Sequence, residues 1–149
     1  MLSFVSMAEV NLRWVGEFNF VGVDSSRHSV VISGMPPDRS IGLKPAEMLL
    51  LALGACTGYD VVNILKKKRQ ELTGLEISVS GEQDPTPPWA FRRIVVTYRV
   101  RGRGLDSKAV QDAVRLSEEK YCSVSATVRG VVRIEHNIEL ADEEQAPAV

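Results

Sequence analysis

Pro45 to Gln70 reads PAEMLLLALGACTGYDVVNILKKKRQ, and the fold turns on how this stretch is read. Met48 to Tyr59 carry no charge; twelve residues fall short of the ~20 a membrane span needs and suit the core of a soluble protein. The pattern predicts one buried helix. Pro45 fits the first helical position, Glu47 puts a negative charge in the first turn, and Lys66, Lys67, Lys68 and Arg69 put positive charge in the last. Both ends therefore complement the helix dipole. At the centre sits Cys56, one of two cysteines in the chain. Gly54, Ala55 and Gly58 let another backbone come close and leave a slot beside the sulfur.

Working outward toward the N-terminus, Val10 to Val21 alternates, with Leu12, Trp14, Phe18 and Phe20 on one side and Asn11, Arg13, Glu17 and Asn19 on the other. That is one half-buried strand. Gly22 to Arg27 supplies turn residues and His28 to Ser33 a returning strand. The prolines of Gly34 to Gly42 make that segment a loop leading into the helix.

Toward the C-terminus, Leu72-Thr73-Gly74 stops the helix, and Leu75, Ile77 and Val79 alternate as a strand. Asp84 to Trp89 is a stiff connector, and Ile94, Val96, Tyr98 and Val100 form the antiparallel partner. Asp106 can cap a second, amphipathic helix carrying Val110, Ala113, Val114, Ser117 and Tyr121 on one side and ending near Cys122. Ser123 or Ser125 can cap a further short turn. Val132, Ile134, His136, Ile138 and Leu140 share one face of a last strand. Strands, helix, strands, helix, strand with hairpin-like pairs predict an α+β fold with antiparallel sheets. No glycine-rich phosphate loop follows a strand, which disfavours a dinucleotide fold.

A chain of 149 residues is expected to form a single domain spanning residues 1–149, with 1–8 and 141–149 as mobile tails. Met7 is an alternative start, with residues 1 to 6 an extension. A formal charge of −1 gives no global attraction to nucleic acid or anionic lipid. The run Lys66 to Arg69, with Arg92, Arg93, Arg99, Arg101 and Arg103, has few interleaved aromatics and reads as a solvated face rather than a nucleic-acid surface. Two cysteines cannot build a disulfide scaffold, and no CxxC or paired Cys/His spacing marks a structural zinc site. The start, MLSFVSMAEV, has no basic n-region, so no signal peptide is expected. The expectation is a cytoplasmic chain that engages neither membrane nor nucleic acid and carries no cofactor and no metal.

Cys56 and Cys122 lie 66 positions apart (122 − 56). Each can be a small core hydrophobe, or the two can be a peroxidatic and a resolving thiol. A mid-helix thiol gains little from its own helix dipole, so a reactive Cys56 needs a cation from elsewhere. Arg39 is the candidate, with Glu47 orienting its guanidinium; Arg39 as a solvated side chain and Glu47 as a first-turn charge are the plain alternatives. Asp60, four residues after Cys56, is read as structural, paired with a cation or capping a break. Tyr59 is read as a core aromatic and His136 as a satisfied core or edge histidine. With only two histidines, His28 and His136, a hydrolase triad is a weak reading.

The segment Pro45 to Cys56, followed by Asp60-Val61-Val62 and the basic Ile64 to Arg69, resembles the central helix of the OsmC/Ohr family (osmotically inducible protein C and organic hydroperoxide resistance proteins). Cys122 to Thr127 resembles that family's second-cysteine motif. In element order the resemblance covers Trp14 to Leu140, and the two cysteine segments are its specific parts. It implies an intertwined homodimer, antiparallel sheets around two long central helices, with active sites at the subunit interface. It also implies a thiol peroxidase for organic hydroperoxides with Cys56 as nucleophile, Cys122 as resolver, and an Arg with a Glu near the first. Arg39 matches that arginine only loosely, its loop being different, and Glu47 is the glutamate available beside it. The implied partners are a second copy of the chain, a small hydroperoxide and a dithiol reductant such as a lipoylated protein.

Two departures stand out. The family's well-characterised peroxidases place a glutamate directly after the proline, ten before the cysteine; that position is Ala46 here, and Glu47 stands nine before. Ser123 stands where a proline is usual after the second cysteine. These features resemble a less characterised branch. The function expected is reduction of organic, lipid-like hydroperoxides through a Cys sulfenate and an intramolecular disulfide, in an oxidative stress response. The alternative is a catalytically weak, stress-associated small-molecule-binding protein of the same fold.

Overall fold

The structure, a computed structural model, describes residues 7 to 143. The expected N-terminal extension, residues 1 to 6, and the tail from residue 144 lie outside the described residues. The chain divides into two compact units at Leu49/Leu50.

The first unit is an antiparallel sheet of β1 (Asn11–Gly16), β2 (Asn19–Val23) and β3 (Ser29–Ser33). The single strand expected over Val10–Val21 is thus two. Gly16 and Glu17 take positive φ values of 113° and 48°, the chain reverses through Glu17-Phe18, and the Trp14 indole donates to the Glu17 carbonyl at 2.8 Å. Trp14 pairs across with Phe20, so the apolar alternation runs through the turn without a break and hides it. Between β2 and β3 the Asp24 carboxylate accepts from the backbone N–H groups of Ser26 and His28, an Asx-type turn. Further on, Leu43 bridges Ile32, and a Cβ on Gly42 would stand 2.5 Å from the Val31 carbonyl oxygen, so only glycine passes there.

Helix α1 (Pro45–Lys67) is the predicted helix, ending three residues before Gln70 where Arg69 turns to φ 57°. Leu53, Gly54, Thr57, Gly58, Val61 and Leu65 form its buried stripe. A Cβ on Gly54 would lie 2.9 Å from Val79 and one on Gly58 2.6 Å from Ile77, so these two glycines let α1 settle onto β4 (Glu71–Gln83). Ala55, grouped with them on sequence, is exposed instead, as is Tyr59, expected in the core. By length and composition α1, with an 18-residue window of mean hydropathy 1.7, could cross a membrane. The close seating of its glycines on a strand is the packing of a core helix.

The second unit's sheet has the order β4-β5-β6, with β5 (Phe91–Arg103) central and β6 (Arg133–Asp142) on its far side. β4 and β5 pair antiparallel, as expected, in a register that sets Leu75 opposite Val100 and Ile77 opposite Tyr98. β6 does not follow the expected antiparallel pattern: it runs parallel to β5, Ile94 opposite Ile134 and Tyr98 opposite Ile138. The physical reason is the connection. Residues 104 to 132 hold α2 (Ser107–Leu116), a π-helical turn (Ser117–Tyr121) and α3 (Ser123–Val128), long enough to carry the chain back to the start of β5. β6 also continues two residues past Leu140 into the segment expected to fray.

Asp106 caps α2 as expected, accepting from the Lys108 N–H at 2.9 Å. The inner face of β5, Ile94, Val96, Tyr98 and Val100, is fully buried with Leu53, Val61, Leu65, Val110 and Ala113. Its outer face carries Arg93, Arg99, Arg101 and Arg103, three of them held by acids: Arg93 by Glu135, Arg99 by Glu76 and Glu139, Arg103 by Glu71.

Candidate functional site

Cys56 lies mid-way along α1, half-buried, and Cys122 sits between the π-helical turn and α3, 2% exposed. Their sulfurs and a carboxylate oxygen of Asp60 all lie within 4.8 Å of one another, and both thiols are free. Folding of the second unit therefore joins two cysteines that sequence alone leaves 66 residues apart (122 − 56).

The π-helical turn makes this approach. Its closing bond, from the Cys122 N–H to the Ser117 carbonyl at 2.8 Å, spans five residues, and single π turns of this kind recur at functional sites. Ser117 and Ser125 are fully buried on either side of Cys122. The Ser117 hydroxyl donates to Asp60 at 2.8 Å, and the Ser125 N–H donates to the Cys122 sulfur at 3.2 Å. The cap of α3 is thus the thiol itself, not Ser123 or Ser125. Burial pushes the Cys122 thiol up to about 11, its hydrogen bond with Cys56 adds to this, and the Ser125 N–H works the other way. At neutral pH Cys122 holds its proton.

A polar group lies within the same unit on β5 and β6. The Tyr98 hydroxyl is 3.2 Å from His136 Nδ1 and the two rings stack with centroids 5.9 Å apart. His136 Nε2 faces Glu118 at 3.3 Å, a charge contact without hydrogen-bond alignment. Burial pushes the Tyr98 hydroxyl up to about 12. Burial also holds His136 below the ordinary imidazole value, with Glu118 pulling against it. Next to the sulfurs, Asp60, Asn63, Ile64 and Tyr121 border an open cavity of about 320 Å³ whose rim carries Lys67 and Lys68.

Of the four residues expected at the site, Cys56 and Cys122 come together. Arg39 and Glu47 belong to the first unit and do not pair there. Arg39 is exposed, its backbone N–H on the Pro36 carbonyl, while Glu47 accepts from Lys44 Nζ at 3.0 Å. Lys44 stands three residues before Glu47 at the helix start, which makes it the nearer cation. Asp60 is the residue that sequence reasoning undervalued. It neither pairs with an arginine nor breaks the helix, and its place one turn from Cys56 was the available signal. The three converging donors could hold a metal ion.

Residues 37–137 match the model of the OsmC-like protein family. The chain belongs to the OsmC-like family. It is 36% identical to the Escherichia coli K12 protein YhfA over 132 residues, 89% of this chain and 97% of that one. Among solved structures it is similar to a hypothetical protein from Aquifex aeolicus VF5, with 34% identity, TM-score 0.84 and coverage of 94% of this chain and 100% of that one. The organic hydroperoxide resistance protein OhrB of Bacillus subtilis shares the fold at TM-score 0.59 and 23% identity, over 91% of this chain and 98% of that one. Membership in the OsmC-like family points to a redox or peroxide-related role, and a pair of neighbouring thiols is chemistry such a role can use.

Proposed function

We propose that the chain is a thiol peroxidase for organic hydroperoxides, and the observation that carries this is the approach of Cys56 and Cys122 within 4.8 Å. The Cys56 thiolate attacks the terminal oxygen of ROOH; the O–O bond breaks, Cys56 becomes a sulfenic acid, and RO⁻ takes a proton and leaves as ROH. Cys122 then attacks the Cys56 sulfur, the S–O bond breaks, and water leaves with the Cys122 proton as a disulfide forms. A disulfide needs an S–S length of about 2.05 Å, so the sulfurs must move together, which rotation of the half-buried Cys56 side chain allows. A dithiol reductant restores the pair. Exposed Leu51, Ala52, Ala55 and Tyr59 on the open side of α1 suit an alkyl tail better than a hydrophilic peroxide.

The same open apolar side supports a homodimer in which a second copy covers it. In the first unit, exposed Leu12, Trp14 and Phe18 argue alike. Arg39 and Glu47 would enter the site in that assembly.

The test is to mix the reduced protein with cumene hydroperoxide and count free thiols. Loss of both thiols is expected, Cys56→Ser abolishing peroxide consumption and Cys122→Ser giving one turnover that ends in a trappable sulfenate. No thiol loss where a control peroxidase is oxidised overturns the reading. A second reading, a catalytically weak binding protein of the same fold, is favoured by Asp60. The charge beside the sulfurs is negative, which opposes a thiolate. Unchanged thiols together with saturable binding of the hydroperoxide would select it.

A further inference from the structure

Cys56 and Asp60 stand at i and i+4 on one helix, the spacing at which a single helix face presents two ligands to one ion. The third donor, Cys122, arrives from a separate segment. We propose that Cys56, Asp60 and Cys122 form a binding site for a zinc-class divalent cation, with a fourth position open to solvent.

The donor set is that of a borderline-soft ion: two thiolates and a carboxylate, with three protein ligands and one exchangeable position. The geometry is close to what such an ion needs. Donors around a tetrahedral Zn²⁺ with Zn–S near 2.3 Å lie ~3.8 Å apart. The three atoms here lie within 4.8 Å, so they must close by no more than about 1 Å. Side-chain rotation of half-buried Cys56 and Asp60 can supply that. The surroundings orient the donors: Ser117 holds one Asp60 oxygen at 2.8 Å, and the Ser125 N–H fixes the Cys122 sulfur at 3.2 Å. Partners one bond behind the ligands are what hold a metal ligand in its binding orientation. The half-exposed side of Cys56 and Asp60 provides the entry path.

Binding displaces the two thiol protons, since a coordinated thiol is deprotonated: Zn²⁺ + 2 RSH + RCOO⁻ gives a mono-anionic centre and 2 H⁺. The bound sulfurs are then shielded from alkylation and oxidation. The inference stands whether or not the chain reduces peroxides, because it concerns the reduced protein without an oxidant.

The experiment titrates the reduced, metal-free full-length protein with Co²⁺ under anaerobic conditions and then adds Zn²⁺. One Co²⁺ per chain with a near-ultraviolet thiolate-to-cobalt charge-transfer band is expected, bleached by Zn²⁺. The chain has only two cysteines, so a thiolate band reports on Cys56 and Cys122 alone. Cys56→Ser and Cys122→Ser should each weaken it, Asp60→Asn should weaken binding at least about 100-fold, and Ser117→Ala about tenfold. Zn²⁺ should slow alkylation of both thiols. Absence of the band in the wild-type protein overturns the site without any variant. Unchanged affinity in a folded Asp60→Asn protein overturns the three-donor arrangement.

Discussion

In the second unit Leu53, Val61, Leu65, Ile94, Val96, Tyr98 and Val100 are fully buried, whereas in the first Leu12, Trp14, Val15 and Phe18 are each more than half exposed. One unit has closed its core and brought its two thiols together at the edge of it, Cys122 buried and Cys56 half-buried. The other displays an apolar sheet face and keeps Arg39 and Glu47 on its surface. The difference teaches what each unit places by itself: a closed core positions the two sulfurs side by side, while beside an uncovered sheet Arg39 stays exposed and Glu47 pairs only with Lys44.

Truncation in the two units is the sharpest way to break that comparison. Leu53→Ala removes a side chain with no exposed surface and should destabilise the protein by about 2–5 kcal/mol, read as a lowered urea midpoint. Trp14→Ala in an isolated chain should cost only about 1 kcal/mol, because the 65% exposed indole gives up its bond to the Glu17 carbonyl and its pairing with Phe20 and little buried area. If a second copy covers the β1 face, the Trp14→Ala penalty becomes large and grows with protein concentration. A small, concentration-independent penalty would leave the first unit's apolar face without a covering partner.

The same contrast explains what could be read in advance. The α1 start, the antiparallel pairing of β4 with β5 and the Asp106 cap were legible because each is set by residues close in sequence: a proline and a first-turn charge, period-two alternation, a capping carboxylate. The α1 end was not, because the helix closes at Lys67 and Leu72-Thr73-Gly74, read as its stop, already lies in β4. The β1 turn was not, because Trp14 and Phe20 keep the apolar rhythm across it. Nor was the direction of β6, since Val132, Ile134, His136 and Ile138 alternate identically in a parallel or antiparallel strand and only the crossover decides. At the site, the cysteines could be named from their motifs. The role of Asp60 depends on a π-helical turn 57 residues away (117 − 60) that no local pattern announces. Glu47 was legible as a first-turn charge, and Lys44 beside it satisfies that plain reading.

A smaller effect should separate the units by pH, since the groups with clear shifts inside a core belong to the second. The folded state keeps the Cys122 proton up to about 11 against an ordinary value of 9.0. The folded protein therefore binds more protons than the unfolded chain between those values. That stabilisation is complete below about 9 and lost as pH rises toward 11. His136 runs the other way. Its folded value lies below 6.5, so the unfolded chain takes up the proton first and stability falls as pH drops below about 6.5. Urea midpoints against pH should show both limbs. Cys122→Ser should flatten the alkaline limb between about 9 and 10, the raised Tyr98 hydroxyl still costing stability above 10, and His136→Gln should flatten the acid limb; slopes unchanged in those two windows would remove both groups as their source.

The smallest stability effect belongs to Glu47, and it bears on the first unit's place in the chemistry. Its bond to Lys44 joins two side chains each more than half exposed, a pair that contributes about 0–0.5 kcal/mol. Glu47→Gln should leave the urea midpoint unchanged within that range. Its effect on peroxide consumption is then free of any folding penalty. If pairing of two chains redirects Glu47 from Lys44 to Arg39 at the sulfurs, Glu47→Gln slows the formation of sulfenate at Cys56 and leaves the later disulfide step alone, because only the first step needs a cation beside the thiolate. Equal rates in both steps would confine Glu47 to the helix start, and a thiolate at Cys56 would have to find its cation elsewhere.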